Sequence, residues 1–249
     1  MLNFKSVKTQ LIIFLTCFAI FLSFKERSPV FLYATCAAVI SALMAESLIL
    51  YFRTKIFQAT ESSIITGLIV GFVLSSDEAW WKLILAAVLA IVSKYLIQIR
   101  KKHIFNPAAF GILLAILIFG ASTQWNGTYL WYILLPFGLY FSYKLRKIEI
   151  LISYAVVSLA LFGIQAAFHR IPFAHIFGYF SYFYIFIMVI EPKTTPVKQA
   201  GKIIFGALVS GLIFVLTAIG ARFDVELFSL LALNMAVPLL NRIPNIERG

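Results

Sequence analysis

Three ionisable side chains lie well inside apolar runs: Glu46, Glu61 and Lys94. A charge in hydrocarbon costs about 2.5–3.5 kcal/mol on insertion scales, so each needs a partner or a wet cavity. Glu46 and Glu61 are therefore candidates for an ion or solute path, and Lys94 for the lining of a central site. Glu46 fits equally well a snorkelling residue, or one paired with Arg53 or Lys55, and Lys94 one that snorkels to the interface near Arg100. Glu61 opens the run Ser62, Ser63, Thr66, Gly67, whose small and polar residues sit poorly against lipid. Two asparagine–proline stretches add helix breakers: Asn106-Pro107, where a span should start, and Asn234 with Pro238 near the C-terminus. Proline removes a backbone donor and biases the residue before it away from the helix. Groups freed at membrane depth are tolerated where they pack in protein or line a cavity. Thr66, Gly67, Lys94, Asn106, Pro107 and Asn234 are thus candidate linings of a central site, with unrelated proline kinks as the plainer alternative.

Elements long and apolar enough to hold such residues dominate the chain. Of 249 residues, 62% are hydrophobic and 12% charged, with mean hydropathy +0.96. A soluble domain has about 25% charged residues, so too little polar material remains to coat a water-exposed globule. The chain reads as an integral membrane protein, and disordered, coiled-coil and disulfide-scaffold classes are excluded. A bilayer core of about 30 Å needs roughly 20 apolar residues per helix. That predicts about ten spans, near 10–24, 30–52, 56–75, 80–99, 104–121, 128–143, 148–168, 172–190, 202–221 and 225–241. The first follows Lys5 and Lys8 but no small-x-small cleavage site precedes Pro29, so it reads as an uncleaved helix.

The net charge of +11 sits in short clusters between spans rather than on one soluble face. Nucleic acid is not expected; the lipid bilayer is the expected environment. Alternating sides place the clusters 53–55, 100–102, 144–147 and 193–202 together, leaving Lys25, Arg27, Lys82, Arg170 and Arg222 opposite. By the positive-inside bias both termini are expected in the cytoplasm. Trp80, Trp81, Trp125 and Trp131 then fall at the outer boundary, where an aromatic belt belongs. The Phe and Tyr run at 173–186 suits lipid-facing packing, or stacking on a planar ligand. Cys17 and Cys36 read as small buried hydrophobes, and His103, His169 and His175 are too scattered to ligate a metal together. There is no Gly-rich phosphate loop and no nucleophile elbow, so no catalytic residue and no metal site is assigned. An odd number of helices per half would invert the second half relative to the first, with breaks in its fifth and tenth helices. The chain is read as one all-α membrane domain, with repeat one at about 1–122 and repeat two at about 123–249.

Ser63 to Leu68, Lys94, and His103-Ile104-Phe105-Asn106-Pro107-Ala108-Ala109-Phe110-Gly111 resemble the NqrB/RnfD family. These are the large membrane subunits of the sodium-pumping quinone reductase and of the Rnf ferredoxin:NAD complex. Glu191-Pro192-Lys193-Thr194-Thr195-Pro196, Gly201-Lys202, Phe205-Gly206-Ala207 and Asn234 through Pro238 are similar to the family's C-terminal stretches. The resemblance implies ten helices in two inverted five-helix repeats, similar to urea transporters. It also implies flavin binding and electron transfer coupled to ion transport, in a bacterial inner membrane. Glu191 stands where the family has Asp, and with Thr195 joins Glu46 and Glu61 as a candidate for the ion or solute path. Thr66, Gly67, Lys94, Asn106, Pro107 and Asn234 become candidates to line a flavin site.

The departures are specific. Relatives carry covalent FMN on the threonine of Ser-Gly-Ala-Thr; the nearest string here is Gly120-Ala121-Ser122-Thr123, with Ile116 at the place of an upstream aspartate. No covalent attachment is expected, and the flavin (FMN or riboflavin) would be non-covalent. Gln98 to Lys102 replaces the family's Gly-Gly-Leu-Gly-Gln. The expected function is a membrane subunit working with other Rnf- or Nqr-type subunits, or with a cytoplasmic flavin or iron-sulfur oxidoreductase docked on the basic loops 98–103, 144–147 and 193–202. The alternatives are a stand-alone transporter or channel for a small solute or flavin, and a membrane anchor for a separate oxidoreductase.

Overall fold

The computed structural model describes residues 6–99, 102–170, 172, 176–178 and 180–244, and its chain divides into two compact units, Met1–Gly127 and Thr128–Gly249. Lys5, Arg100, Lys101 and His175, named above, lie outside the described residues.

The first unit runs α1 (Val7–Lys25), α2 (Val30–Thr54), α3 (Glu61–Val73), α4 (Trp80–Leu96), the short pair β1 (Gln98–Ile99) and β2 (Lys102–His103), and α5 (Pro107–Phe119). α2 packs on α3 and α4, α4 on α5, and α1 on α3. Lipid tails are as apolar as leucine, so helices associate where small residues let backbones approach. A β-carbon on Gly67 would lie 2.5 Å from Val39 Cα, and one on Gly111 would lie 2.3 Å from the Ala86 carbonyl oxygen. Around that seam Phe72 stacks on Phe18 and meets Phe31 edge-on.

At 13 residues α3 is about 20 Å long, well short of a bilayer core. Its last carbonyls need donors that hydrocarbon does not supply. The segment after α5 supplies them. Leu74 turns extended and bridges Thr123, Gln124 N donates to Val73 O at 2.8 Å, and Asn126 N donates to Phe72 O at 2.7 Å. Ser122 N and Oγ donate to Glu78 Oε1 at 2.7 and 2.8 Å. Lys82, and then Ser122, hold the Glu78 carboxyl below the usual carboxylate range. The string nearest to a flavin-attachment sequence is thus a structural strap in this chain.

The second unit runs α6 (Trp131–Lys144), α7 (Ile148–Phe168), a π-helical turn (Tyr184–Met188), α8 (Gln199–Ala218) and α9 (Val225–Leu240). α7 lies along α8, where Ser158 and Ser210 share a 2.7 Å hydrogen bond, and α8 packs on α9.

Four sequence expectations are corrected here. In place of a helix over 172–190, the described residues hold a 3-10 turn at 176–178 and helical turns from 182 onward. The rings of Phe177, Phe180, Tyr182 and Phe186 form a ladder with centroids 6.2–6.4 Å apart, and its step of two residues at 180–182 is not a same-face spacing of an α-helix. The Asn234–Pro238 stretch does not interrupt its helix. Pro238 falls in the last turn of α9, where little helix remains to be broken. Asn106-Pro107 sits at the start of its span, as expected, but it does not break a helix as the fifth-helix break required: Pro107 is at the first helical position, where its missing donor is no loss. Cys17 and Cys36 are both exposed, because in a chain with lipid-facing helices the outward face is itself apolar.

Among the described residues, four helices are long and apolar enough to cross a membrane: α1, α2, α7 and α8. α3, α5 and α9 are shorter apolar helices. The chain is an all-α, multi-pass membrane protein.

Candidate functional site

Glu46 lies two turns before the end of α2 and is 0% exposed. Its carboxylate takes four donors. Oε1 accepts from Lys94 Nζ and, at 2.9 Å, from the Tyr95 hydroxyl; Oε2 accepts from Thr60 N at 2.7 Å and Thr60 Oγ1 at 2.8 Å. Thr60 is the residue before α3, and Lys94 and Tyr95 end α4, so one carboxylate ties three helices together. The nearer cations that the sequence offers are used elsewhere. Arg53 lies 5.0 Å from the Tyr95 ring centroid and Lys55 5.7 Å from that of Tyr51.

The other candidates of this unit are also engaged. Glu61, on the first turn of α3, accepts from Thr9 Oγ1 of α1. Thr66 Oγ1 donates to Ser62 O at 2.8 Å, and Gly67 is pressed against the Val39 backbone. Asn106 is buried, and its Oδ1 accepts the Ala109 N–H at 3.0 Å as the cap of α5. Losing such a cap costs about 1 kcal/mol. Asn106→Ala is therefore expected to lower the melting temperature of the detergent-solubilised protein by a few degrees, with Asn106→Ser recovering most of it; equal losses in both would show that the cap is not what Asn106 contributes.

In the second unit the candidates converge on one loop, residues 191–198. Thr195 Oγ1 donates to Glu191 O at 2.7 Å, Thr194 Oγ1 to Glu191 Oε2 at 3.1 Å, and Asn234 Nδ2 of α9 to Thr194 O at 2.9 Å. Two residues that sequence reasoning did not single out complete the network. Lys147, in the turn before α7, donates to Pro196 O at 2.6 Å and reaches Thr195 O at 3.5 Å. Asn241 Oδ1 accepts from Val197 N at 2.9 Å. Beside them Lys202 of α8 pairs with Glu149 of α7 at 3.2 Å. A turn rich in Lys and Arg gives no sign of which cation folds inward, so Lys147 carried no readable signal.

In the first unit the predicted lining residues are engaged with neighbouring side chains and helix backbones. The second unit contains a half-open groove of about 890 Å³ between α6, α7 and the aromatic ladder. Trp131, Leu135, Tyr154, Phe180, Tyr182 and Phe186 are among its walls, and no charged residue lines it among the described residues.

A family model described as the NQR2, RnfD, RnfE family matches residues 2–132 and 132–247. One similar protein is the RnfD subunit of the ion-translocating oxidoreductase complex of Tolumonas auensis, 37% identical over 57 residues, which cover 23% of this chain and 16% of the relative. Another, of the same name, is from Escherichia coli O1:K1 / APEC, 33% identical over 93 residues, covering 35% of this chain and 26% of the relative. The matched stretches thus span about a quarter or less of these relatives' lengths.

Proposed function

Since the chain belongs to the NQR2, RnfD, RnfE family, we propose that it is a membrane subunit of an ion-translocating oxidoreductase complex, holding a flavin without a covalent bond and working beside other subunits of that complex. The observation that carries this reading is the ordered family match, which runs through both units from residue 2 to 247. With it comes an arrangement of two inverted repeats in a bacterial inner membrane, with both termini cytoplasmic. A bound flavin supplies one- and two-electron chemistry.

In this reading the flavin lies in the aromatic groove. Its rings offer faces for an isoalloxazine to stack on. Among the described residues that line it a phosphate would meet no cation, and an unpaired charge in an apolar wall is costly. Riboflavin therefore suits the groove better than FMN. Thr66, Gly67, Lys94, Asn106 and Pro107 support the first unit's helices, and Glu61, Glu191 and Thr195 remain the candidates for the ion path, with Asn234 holding the loop that carries the last two.

The test is an absorption spectrum of protein purified in mild detergent, followed by acid precipitation. A yellow protein that releases riboflavin to the supernatant, and loses it when Leu135→Trp fills the groove, supports the reading. A colourless protein, also when isolated with its complex, overturns the flavin assignment. It would favour the stand-alone transporter, a reading motivated by the strap that replaces the attachment sequence.

A further inference from the structure

Lys147 is buried and sits in the turn between α6 and α7, outside both helices. Its hydrogen bonds go to two backbone carbonyls, Thr195 O and Pro196 O, and not to a carboxylate. The segment that seals it is bracketed by Pro192 and Pro196 and has no regular structure. Two side-chain amides also hold it: Asn234 of α9 donates to Thr194 O, and Asn241, just after α9, accepts from Val197 N. Two charged groups act on the ammonium: Lys202 of α8, which repels it, and Glu149 of α7, which Lys202 already pairs at 3.2 Å. The Glu191 carboxylate is turned to Thr194 Oγ1, and Lys144, Arg146 and Lys193 are exposed. A full positive charge under the closed loop would therefore be held against carbonyl dipoles, with a like charge beside it.

We propose that Lys147 and the 191–198 loop form a proton-responsive latch, in which the loop seals over the neutral amine and opens when the amine takes up a proton from water and becomes hydrated. Burial first, and then the charge of Lys202, pull the Lys147 ammonium from its usual 10.5 down to about 8, with Glu149 acting in the opposite sense. In the open loop the hydrated amine has its ordinary affinity, so opening binds protons. Opening is thus favoured as pH falls from about 10.5 to about 8 and gains nothing further below that. Near neutral pH the latch is at its loosest, and the loop it frees carries Glu191, Thr194 and Thr195. The inference does not depend on whether a flavin is bound.

The experiment is millisecond-pulsed hydrogen exchange of the 193–198 amides in the full chain in detergent, expressed as protection relative to intrinsic rates. Protection is expected to fall about tenfold or more between pH 9.5 and pH 7.5. Lys147→Met, which cannot titrate, and Lys147→Arg, which stays charged, should both abolish the slope. Asn241→Ala, which removes an anchor and keeps the lysine, should lower protection at every pH and retain the slope. A flat profile in the unmodified protein, or a slope that survives in Lys147→Met, overturns the latch.

Discussion

Lys94→Met is expected to be the most damaging single substitution in the first unit, and Glu46→Gln placed on top of it to return much of the loss. The carboxylate of Glu46 is fully buried, and among the described residues its one charged partner is Lys94. Removing one member of a buried pair typically costs about 3–5 kcal/mol, because the remaining charge is left uncompensated. Glutamine in the same place carries no charge. It keeps an oxygen for Thr60 N and Oγ1, and its amide can donate to the Tyr95 hydroxyl oxygen. The readout is the melting temperature of the solubilised protein, with monodispersity on size exclusion as a control. If the double variant melts no higher than Lys94→Met alone, the ion pair is not what holds α2, α3 and α4 together. The four donors also bear on mechanism. A carboxylate with both oxygens doubly occupied has little left to offer a passing cation, so Glu46 is the weakest of the four acidic and hydroxyl candidates for the ion path, behind Glu61, Glu191 and Thr195.

What could be read from the sequence, and what could not, divides along the range of the interactions. The apolar runs of α1, α2, α7 and α8 are local properties, and each helix lies within a few residues of its expected span. Asn106-Pro107 was visible as a helix boundary because capping and proline sterics act over three residues. The pairing of Glu46 with Lys94 was not, since it crosses 48 positions and depends on which faces of α2 and α4 meet. Periodicity is no guide to those faces when nearly every residue is apolar. The same limit explains the cysteines: burial rules learned in water invert on a helix whose outer face meets hydrocarbon. The eighth span failed for a different reason, because hydropathy counts Phe and Tyr as helix-compatible and is blind to rings that pair two residues apart. Lys147 was invisible because a charge count treats Lys144, Arg146 and Lys147 alike, while only the last is buried.

Gly206→Val should disrupt the second unit, whereas Gly211→Ala, five residues further along the same helix, should be neutral or mildly stabilising. A β-carbon at Gly206 would lie 2.2 Å from Ser153 Oγ and 2.4 Å from the Ile150 carbonyl oxygen. The serine can rotate away; the carbonyl belongs to the α7 backbone and cannot, so α7 and α8 would have to separate. Overpacking of this kind costs about 1–3 kcal/mol and more where backbone is the obstacle. Separation would also strain the contacts on either side, Lys202 with Glu149 and Ser158 with Ser210 at 2.7 Å. At Gly211 nothing lies within 4 Å of the added carbon. There, alanine gains the helix propensity that glycine lacks, about 0.5–1 kcal/mol. Melting curves of the two variants in one detergent separate the effects, and a similar shift in both would mean that α8 does not pack on α7 through this seam. Ser153→Gly in the Gly206→Val background sharpens the comparison. It removes the movable obstacle and leaves the carbonyl, so it should rescue little if the backbone of α7 sets the spacing on which the Lys147 turn and the 191–198 loop depend.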